Sequence, residues 1–212
     1  TVLHVYEAAN KSKAGKVFVA TPDQQIFDTV KNFGGKAILT SDHHETGTDR
    51  VFEVFKTLEV SPSIIVNLQG DMPNIEPEAI KNLIDYMKKG KCEIGTLASK
   101  LSSVDELKNK DIVKVLVKEK MKTGLFVEAL DFNRNITKKD NEVYHHIGIY
   151  AFTNKALLRY VSLKRSSNEI KKNLEQIRAL DNNMKIDVGF VKDMPLSVDT
   201  EKDLKQIREL ME

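Results

Sequence analysis

Apolar residues along the chain fall into two alternating rhythms. Short β-branched runs at 16–20, 36–40 and 64–68 stand between stretches at 22–33 and 45–58 where apolar positions recur with helical spacing. Strands alternating with amphipathic helices specify βαβ units and a parallel sheet within an α/β fold. The chain opens already in helical rhythm, with Val2, Val5, Ala8 and Ala9 on one face. Thr21 ahead of Pro22 predicts an N-cap with proline at the first helical position. Phe33, Gly34 and Gly35 predict the stop of the same helix.

The rhythm changes after a helix at 76–89. Strand-like segments follow at 93–100, 112–117, 124–130 and 144–152 with few helical stretches between them, so the middle is expected to be a mixed or antiparallel extension. The polar run 137–142 reads as an exposed turn between two of these strands, or as a lid. Helices return at 154–162 and 168–180, followed by an apolar strand at 185–191 and a closing helix at 199–211. Neither an internal repeat nor a low-complexity tract interrupts this order.

Length and charge narrow the reading. A chain of 212 residues buries a full hydrophobic core and fits one domain with a smaller excursion better than two equal halves. Lysine and arginine number 33 against 31 acidic residues, and the formal charge of +2 gives no field that favours nucleic acid or an anionic membrane. No stretch approaches the roughly 20 apolar residues that span a bilayer, and the first residues carry no charged leader ahead of an apolar run. A cytoplasmic protein with a small-molecule partner is therefore expected. Cys92, the one cysteine, has no disulfide partner and no histidine at catalytic or metal-ligand spacing, and reads as a small packed residue.

Three segments carry candidate chemistry. The apolar run 64–68 ends in Gln69, Gly70 and Asp71, which delivers a carboxylate to the carboxyl edge of the sheet. There it is placed either to hold a hard cation beside phosphates or to cap a helix. Asp199 likewise follows an apolar strand and precedes a helix, and capping is again the open alternative. The run Thr46, Gly47, Thr48 opens a helix whose first amides suit an anion or a base edge, with Arg50 behind it as a clamp for a carboxylate or phosphate. His43 and His44 fall on different helical faces, are expected on the surface, and receive no role.

The segments HETGTDR (44–50), VNLQGDMP (66–73), YHHIGIYAF (144–152), LEQIRAL (174–180) and PLSVDTEKDL (195–204), in that order, resemble the 3-deoxy-manno-octulosonate cytidylyltransferases, the CMP-Kdo synthetases of Gram-negative bacteria. The resemblance runs from residue 1 to 211. The Gln-Gly-Asp strand end is shared widely among sugar nucleotidyltransferases, whereas HHIGIY followed by LEQ and then VDT is similar to this family in particular.

The resemblance implies a Rossmann-like, GT-A-like nucleotidyltransferase fold, a mixed sheet flanked by helices with a small strand-rich dimerisation extension. On that reading 1–212 is a single nucleotidyltransferase domain and 100–150 a dimerisation or lid excursion within it. The implied reaction is attack of the sugar's anomeric hydroxyl on the α-phosphorus of CTP, with pyrophosphate leaving, in lipopolysaccharide biosynthesis. The implied partners are CTP, an acidic eight-carbon sugar and a second copy of the chain. Asp71 and Asp199 would hold one or two Mg²⁺ ions, and Arg50 would pair with the sugar carboxylate. Gln69, His146, Tyr150, Glu175 and Gln176 would hydrogen-bond the sugar hydroxyls. The residues by themselves also allow Tyr150 to be core, and Glu175 and Gln176 to be the solvated rim of the stripe Ile170, Leu174 and Ile177. Arg134 is a further substrate contact carried over from a family Ser-Arg segment, with Asp131 and Asn133 standing where that segment has Tyr and Ser. The strand and glycine- and arginine-bearing phosphate loop that open such domains are not matched within this sequence, and the resemblance implies that they precede Thr1 in the full protein. Two rivals stand beside this reading: a cytidylyltransferase for sialic or pseudaminic acid, and a non-catalytic nucleotide-sugar binding or dimeric scaffold protein.

Overall fold

The computed structural model describes residues 1–136, 142–198 and 200–211. In chain order they form α1 (Val2–Lys11), β1 (Val19–Thr21), α2 (Gln24–Asn32), β2 (Ala37–Leu39), α3 (Gly47–Thr57) and β3 (Ile64–Leu68). There follow α4 (Pro77–Lys88), β4 (Ile94–Ser99), α5 (Val104–Lys108), β5 (Lys114–Val117), β6 (Phe126–Asn133) and β7 (Glu142–Thr153). The last elements are α6 (Asn154–Ser162), α7 (Ser167–Lys172), α8 (Ile177–Asp181), β8 (Ile186–Phe190) and α9 (Glu201–Met211). The polar run expected as a turn lies mostly outside the described residues, and Glu142 at its end already belongs to β7.

The chain divides into two compact units. One takes Thr1–Ser61, Asn67–Ile84 and Pro195–Glu212, the other Pro62–Val66 and Asp85–Met194. In the first, β1 and β2 pair in parallel with Val19 opposite Ala37, and α2 crosses between them as the alternating rhythm requires. The helix ends where Phe33, Gly34 and Gly35 predict. Gly34 takes φ +82°, its N–H donates to the Lys31 carbonyl at 2.9 Å, and that of Gly35 donates to Val30 at 2.8 Å. The helix starts later than expected. Asp23, not Thr21, is the cap, because its carboxylate accepts the N–H groups of both Gln25 and Ile26 at 2.7 and 3.1 Å.

The six-stranded sheet has the order β3-β7-β4-β8-β6-β5, and β5 also pairs with β7; β4 to β8 belong to the second unit. The expected parallel sheet is thus mixed: β4 and β8 run parallel, while β4–β7, β5–β6, β5–β7 and β6–β8 are antiparallel. Those five pairings close on themselves, so β4, β7, β5, β6 and β8 form a ladder without a free end. β4 is buried at all six positions, which is why its sequence is nearly continuous in apolar and small residues. The helix expected at 168–180 is two short helices. Asn173 adopts the left-handed conformation at φ 52° and ends α7, leaving residues 174–176 as a turn before α8.

Candidate active site

Each unit gathers part of the predicted set. In the first, Asp71 lies in the turn after β3, well before α4 begins at Pro77, so it caps no helix. Its carbonyl accepts the N–H of Val198 at 2.9 Å and its Oδ2 accepts the Ser197 hydroxyl at 2.8 Å. Asn74 Oδ1 accepts the N–H of Leu196 at 2.9 Å, so the turn is stitched to the segment 196–198. Asp71 Oδ1 is buried with no hydrogen-bond partner, the single such side-chain atom among the described residues. A buried acceptor left without a donor costs roughly 1–3 kcal/mol, and a hard cation is a partner that removes this cost. The orphaned oxygen supplies one donor for a divalent metal, and among the described residues no group of three or more His, Cys, Asp or Glu side chains stands together to complete such a site.

Asp199 lies outside the described residues. Its neighbour Thr200 opens α9, with Oγ1 accepting the N–H of Asp203 at 3.2 Å and Asp203 Oδ2 accepting the Thr200 N–H at 2.9 Å.

At the start of α3, Thr46 is the cap and also donates to Asp49 Oδ2 at 2.7 Å. Thr48 is buried and accepts from Asn67 Nδ2 at 3.1 Å, and Gln69 Nε2 reaches Asn67 Oδ1 at 3.4 Å. A Cβ on Gly47 would lie 2.9 Å from Gln69 Nε2 and 3.3 Å from Asn67 Nδ2, so any larger residue there would displace these two amides. Arg50 donates to Thr40 Oγ1 at 2.6 Å and to the Ser41 carbonyl at 2.8 Å, tying the loop after β2 to α3. His44 corrects an expectation. Its side chain is only 21% exposed and pairs through Nε2 with Glu53, whereas that of His43 is 91% exposed. The hydrogen bond from His44 is the main cause that holds the Glu53 carboxyl below its ordinary value.

In the second unit, His146 and Tyr150 lie on β7 with ring centroids 5.3 Å apart, both buried. The phenol of Tyr150 is pushed far up, first by burial and then by the negative charge of Glu175. Burial, helped by His145, pushes the His146 imidazole down to about 3, and it is neutral at physiological pH. Tyr150 is both core and neighbour of the polar cluster. Gln176 is buried at 5% exposure, and Ile170 is 59% exposed across the break at Asn173, so no solvated helical rim exists there.

The turn bearing Glu175 and Gln176 is fixed by a network that the sequence reading missed. Tyr160 donates to the Glu175 carbonyl at 2.8 Å, and the Arg178 guanidinium lies 4.6 Å from the Tyr160 ring centre. Arg178 also grips the fully buried Glu169 through two bonds of 2.8 and 3.0 Å. The readable signal is Ser166-x-x-Glu169, whose reciprocal capping box is present. Arg134 is committed elsewhere: its Nη1 donates to the carbonyls of Asp111 at 2.9 Å and Lys110 at 3.4 Å. Cys92 is packed on Met87, its thiol pushed up to about 12 chiefly by burial.

A family model described as cytidylyltransferase matches residues 2–186. The 3-deoxy-manno-octulosonate cytidylyltransferase of Bartonella quintana (strain Toulouse) is 38% identical, over 99% of this chain and 87% of its own length. That of Brucella canis (strain ATCC 23365 / NCTC 10854 / RM-666) is also 38% identical, over 98% and 83%. The chain belongs to the 3-deoxy-manno-octulosonate branch of the cytidylyltransferase family. A solved CMP:2-keto-3-deoxy-manno-octonic acid synthetase complexed with CTP superposes with a TM-score of 0.87 at 34% identity, covering 99% of this chain and 86% of that one. The 4-diphosphocytidyl-2C-methyl-D-erythritol synthase of Anaerococcus prevotii DSM 20548 shares the fold alone, at 16% identity and a TM-score of 0.63. The mixed sheet and flanking helices are thus those of a nucleotidyltransferase. Among the described residues no helix is long and apolar enough to cross a membrane.

Proposed function

We propose that this cytidylyltransferase transfers CMP from CTP to the anomeric hydroxyl of 3-deoxy-manno-octulosonate (Kdo), releasing pyrophosphate, as a step of lipopolysaccharide biosynthesis in the cytoplasm. The observation that carries the reading is the likeness, over 99% of the chain, to a synthetase of that sugar acid complexed with CTP. In the reaction the hydroxyl oxygen forms a bond to the α-phosphorus, the bond from that phosphorus to the bridging oxygen breaks, and the hydroxyl proton is released.

Asp71 and Asp199 would hold Mg²⁺, which when bound neutralises triphosphate charge and stabilises the leaving pyrophosphate. The orphaned Oδ1 of Asp71 supports this assignment. Ser197, donating to Oδ2, holds the carboxylate in one orientation. Thr46, Gly47 and Thr48 line the start of α3 as the nucleotide side, with the Gly47 backbone set against Gln69 and Asn67. Arg50 would receive the sugar carboxylate, while His146, Tyr150, Glu175 and Gln176 would bind hydroxyls, and the neutral state of the first two suits a polyhydroxylated acid. Arg134 would act on the substrate only through the loop carbonyls it holds.

The reading extends to a homodimer formed through the strand-rich stretch 100–150. There Val104, Leu125 and Leu130 present apolar side chains at 68%, 56% and 41% exposure. Sedimentation of the parent and of a Leu125→Glu, Leu130→Glu double variant tests this, with conversion to monomer expected.

Pyrophosphate release is measured with CTP, Mg²⁺ and, in parallel, Kdo, sialic acid and pseudaminic acid. Release with Kdo alone is expected, lost on chelation and lost in Asp71→Asn with an unchanged circular dichroism spectrum. Turnover that survives chelation, or a preference for another acid, overturns the proposal.

A further inference from the structure

Thr96 sits in the middle of β4 and is wholly buried. It faces the point where the β4–β7 register slips: Thr96 pairs with Tyr150 but the next residue, Leu97, pairs with Ile147, leaving Gly148 and Ile149 without partners on β4. Such bulges free backbone groups from the ladder and re-aim the side chains around them. The Thr96 hydroxyl answers this slip. Its Oγ1 lies 2.6 Å from the Ile149 carbonyl, 3.4 Å from that of Ile147, and 3.0 Å from Nε2 of His146.

A threonine hydroxyl has one hydrogen, and a carbonyl can only accept. The 2.6 Å contact with Ile149 uses that hydrogen. The contact with His146 then requires Nε2 to be the donor and the threonine oxygen the acceptor. A neutral imidazole carries one N–H, so with the proton on Nε2 the lone pair is on Nδ1. Phe132, near-perpendicular at 5.0 Å and 83°, and Tyr150, tilted at 5.3 Å, pack against the imidazole.

We propose that Thr96 is a positioning residue for the sugar-acid pocket: it fixes His146 as the Nε2–H tautomer, so that Nδ1 accepts a hydrogen bond from a substrate hydroxyl. The inference rests on the reading of His146 as a sugar contact. It adds a direction to that contact, because an acceptor at Nδ1 selects a hydroxyl donor and repels a carboxylate. It also explains why a hydroxyl residue stands in an otherwise apolar and small-residue strand.

The test uses the whole protein with ¹⁵N-labelled histidine, the His146 signals being assigned by their absence in His146→Ala. The parent and Thr96→Ser are expected to show a protonated Nε2 and an unprotonated Nδ1 near neutral pH, and Thr96→Val to lose this pattern. Kinetically, Thr96→Val raises KM for Kdo about tenfold, the equivalent of one hydrogen bond at about 1.4 kcal/mol, while KM for CTP is unchanged and Thr96→Ser restores the parent value. A parent imidazole protonated on Nδ1, or a Thr96→Val protein with parental tautomer and KM, overturns the proposal. If His146→Ala raises KM for Kdo and Thr96→Val does not, positioning fails while the sugar contact stands. If His146→Ala leaves that KM unchanged, the sugar contact fails and the positioning role falls with it.

Discussion

Removing the imidazole of His146 should flatten the acid side of the stability profile. In the folded protein burial pushes this group from 6.5 down to about 3, with His145 adding to the shift. In the unfolded chain it titrates at its ordinary value. A histidine whose folded value is depressed contributes nothing adverse above the unfolded value. As pH falls below 6.5 the unfolded state takes up a proton that the folded state refuses, and stability is lost until the folded group titrates near 3. At about pH 4.5 the unfolded chain is about two pH units below its titration point and the folded group still neutral, so at about 1.4 kcal/mol per unit the loss is roughly 2 to 3 kcal/mol. The chain has no tryptophan, so urea unfolding is followed by far-ultraviolet circular dichroism, at one protein concentration, for the parent and His146→Gln near pH 7.5 and pH 4.5. His145, whose own value is lowered first by burial, stays in both proteins, and its contribution largely cancels in the comparison. The parent should lose roughly 2 to 3 kcal/mol more than the variant between the two pH values. Parallel losses would refute the reasoning, because they would mean that His146 gains its proton in the folded state as easily as in the unfolded one.

Other outcomes follow from the packing. Arg178→Ala removes the two-bond partner of the buried Glu169 carboxylate, which still accepts from Arg165 Nε at 3.0 Å, and should cost roughly 1–3 kcal/mol by chemical unfolding. The double change Glu169→Leu, Arg178→Met also removes the acceptor of the Ser166 N–H and the ion-pair partner of Arg165, so it should recover only part of that stability while raising KM for Kdo, since the Glu175 turn loses its anchor. Gly189→Ala puts a Cβ 2.5 Å from the Phe126 ring, itself stacked 3.7 Å from Tyr86, and should cost roughly 1–3 kcal/mol. Gly47→Ala drives a methyl into the amides of Gln69 and Asn67 and should raise KM for CTP with little loss of thermal midpoint.

The first half of the fold is legible because its signals are local. Gly34 answers a backbone requirement that only glycine meets cheaply, and a Cβ on Gly35 would lie 2.7 Å from the Val30 side chain, so the end of α2 could be read from three letters. The start of α2 could not, since Pro22 makes Thr21 a plausible cap while the doubly accepting carboxylate of Asp23 wins in three dimensions. Ile170, Leu174 and Ile177 keep helical spacing across a break that depends on Asn173 entering the left-handed region, a choice that asparagine permits without announcing. At the site, Asp71 stands out as a carboxylate at a strand end. Thr96 does not, because its role depends on a register slip against a strand some fifty residues away. Ser197 is hidden for the same reason, its partner Asp71 being distant in sequence.

The closed ladder of β4, β7, β5, β6 and β8 also has a consequence for the nascent chain. Four of its strands have been synthesised once residue 153 emerges, yet β4 and β6 each keep an unpaired edge until β8 at Ile186–Phe190 arrives to join them. During that interval translation exposes two open strand edges, the kind that pair with neighbouring chains. Ribosome-bound chains halted before Ile186 should therefore recruit chaperones or aggregate, while chains released after Phe190 should not.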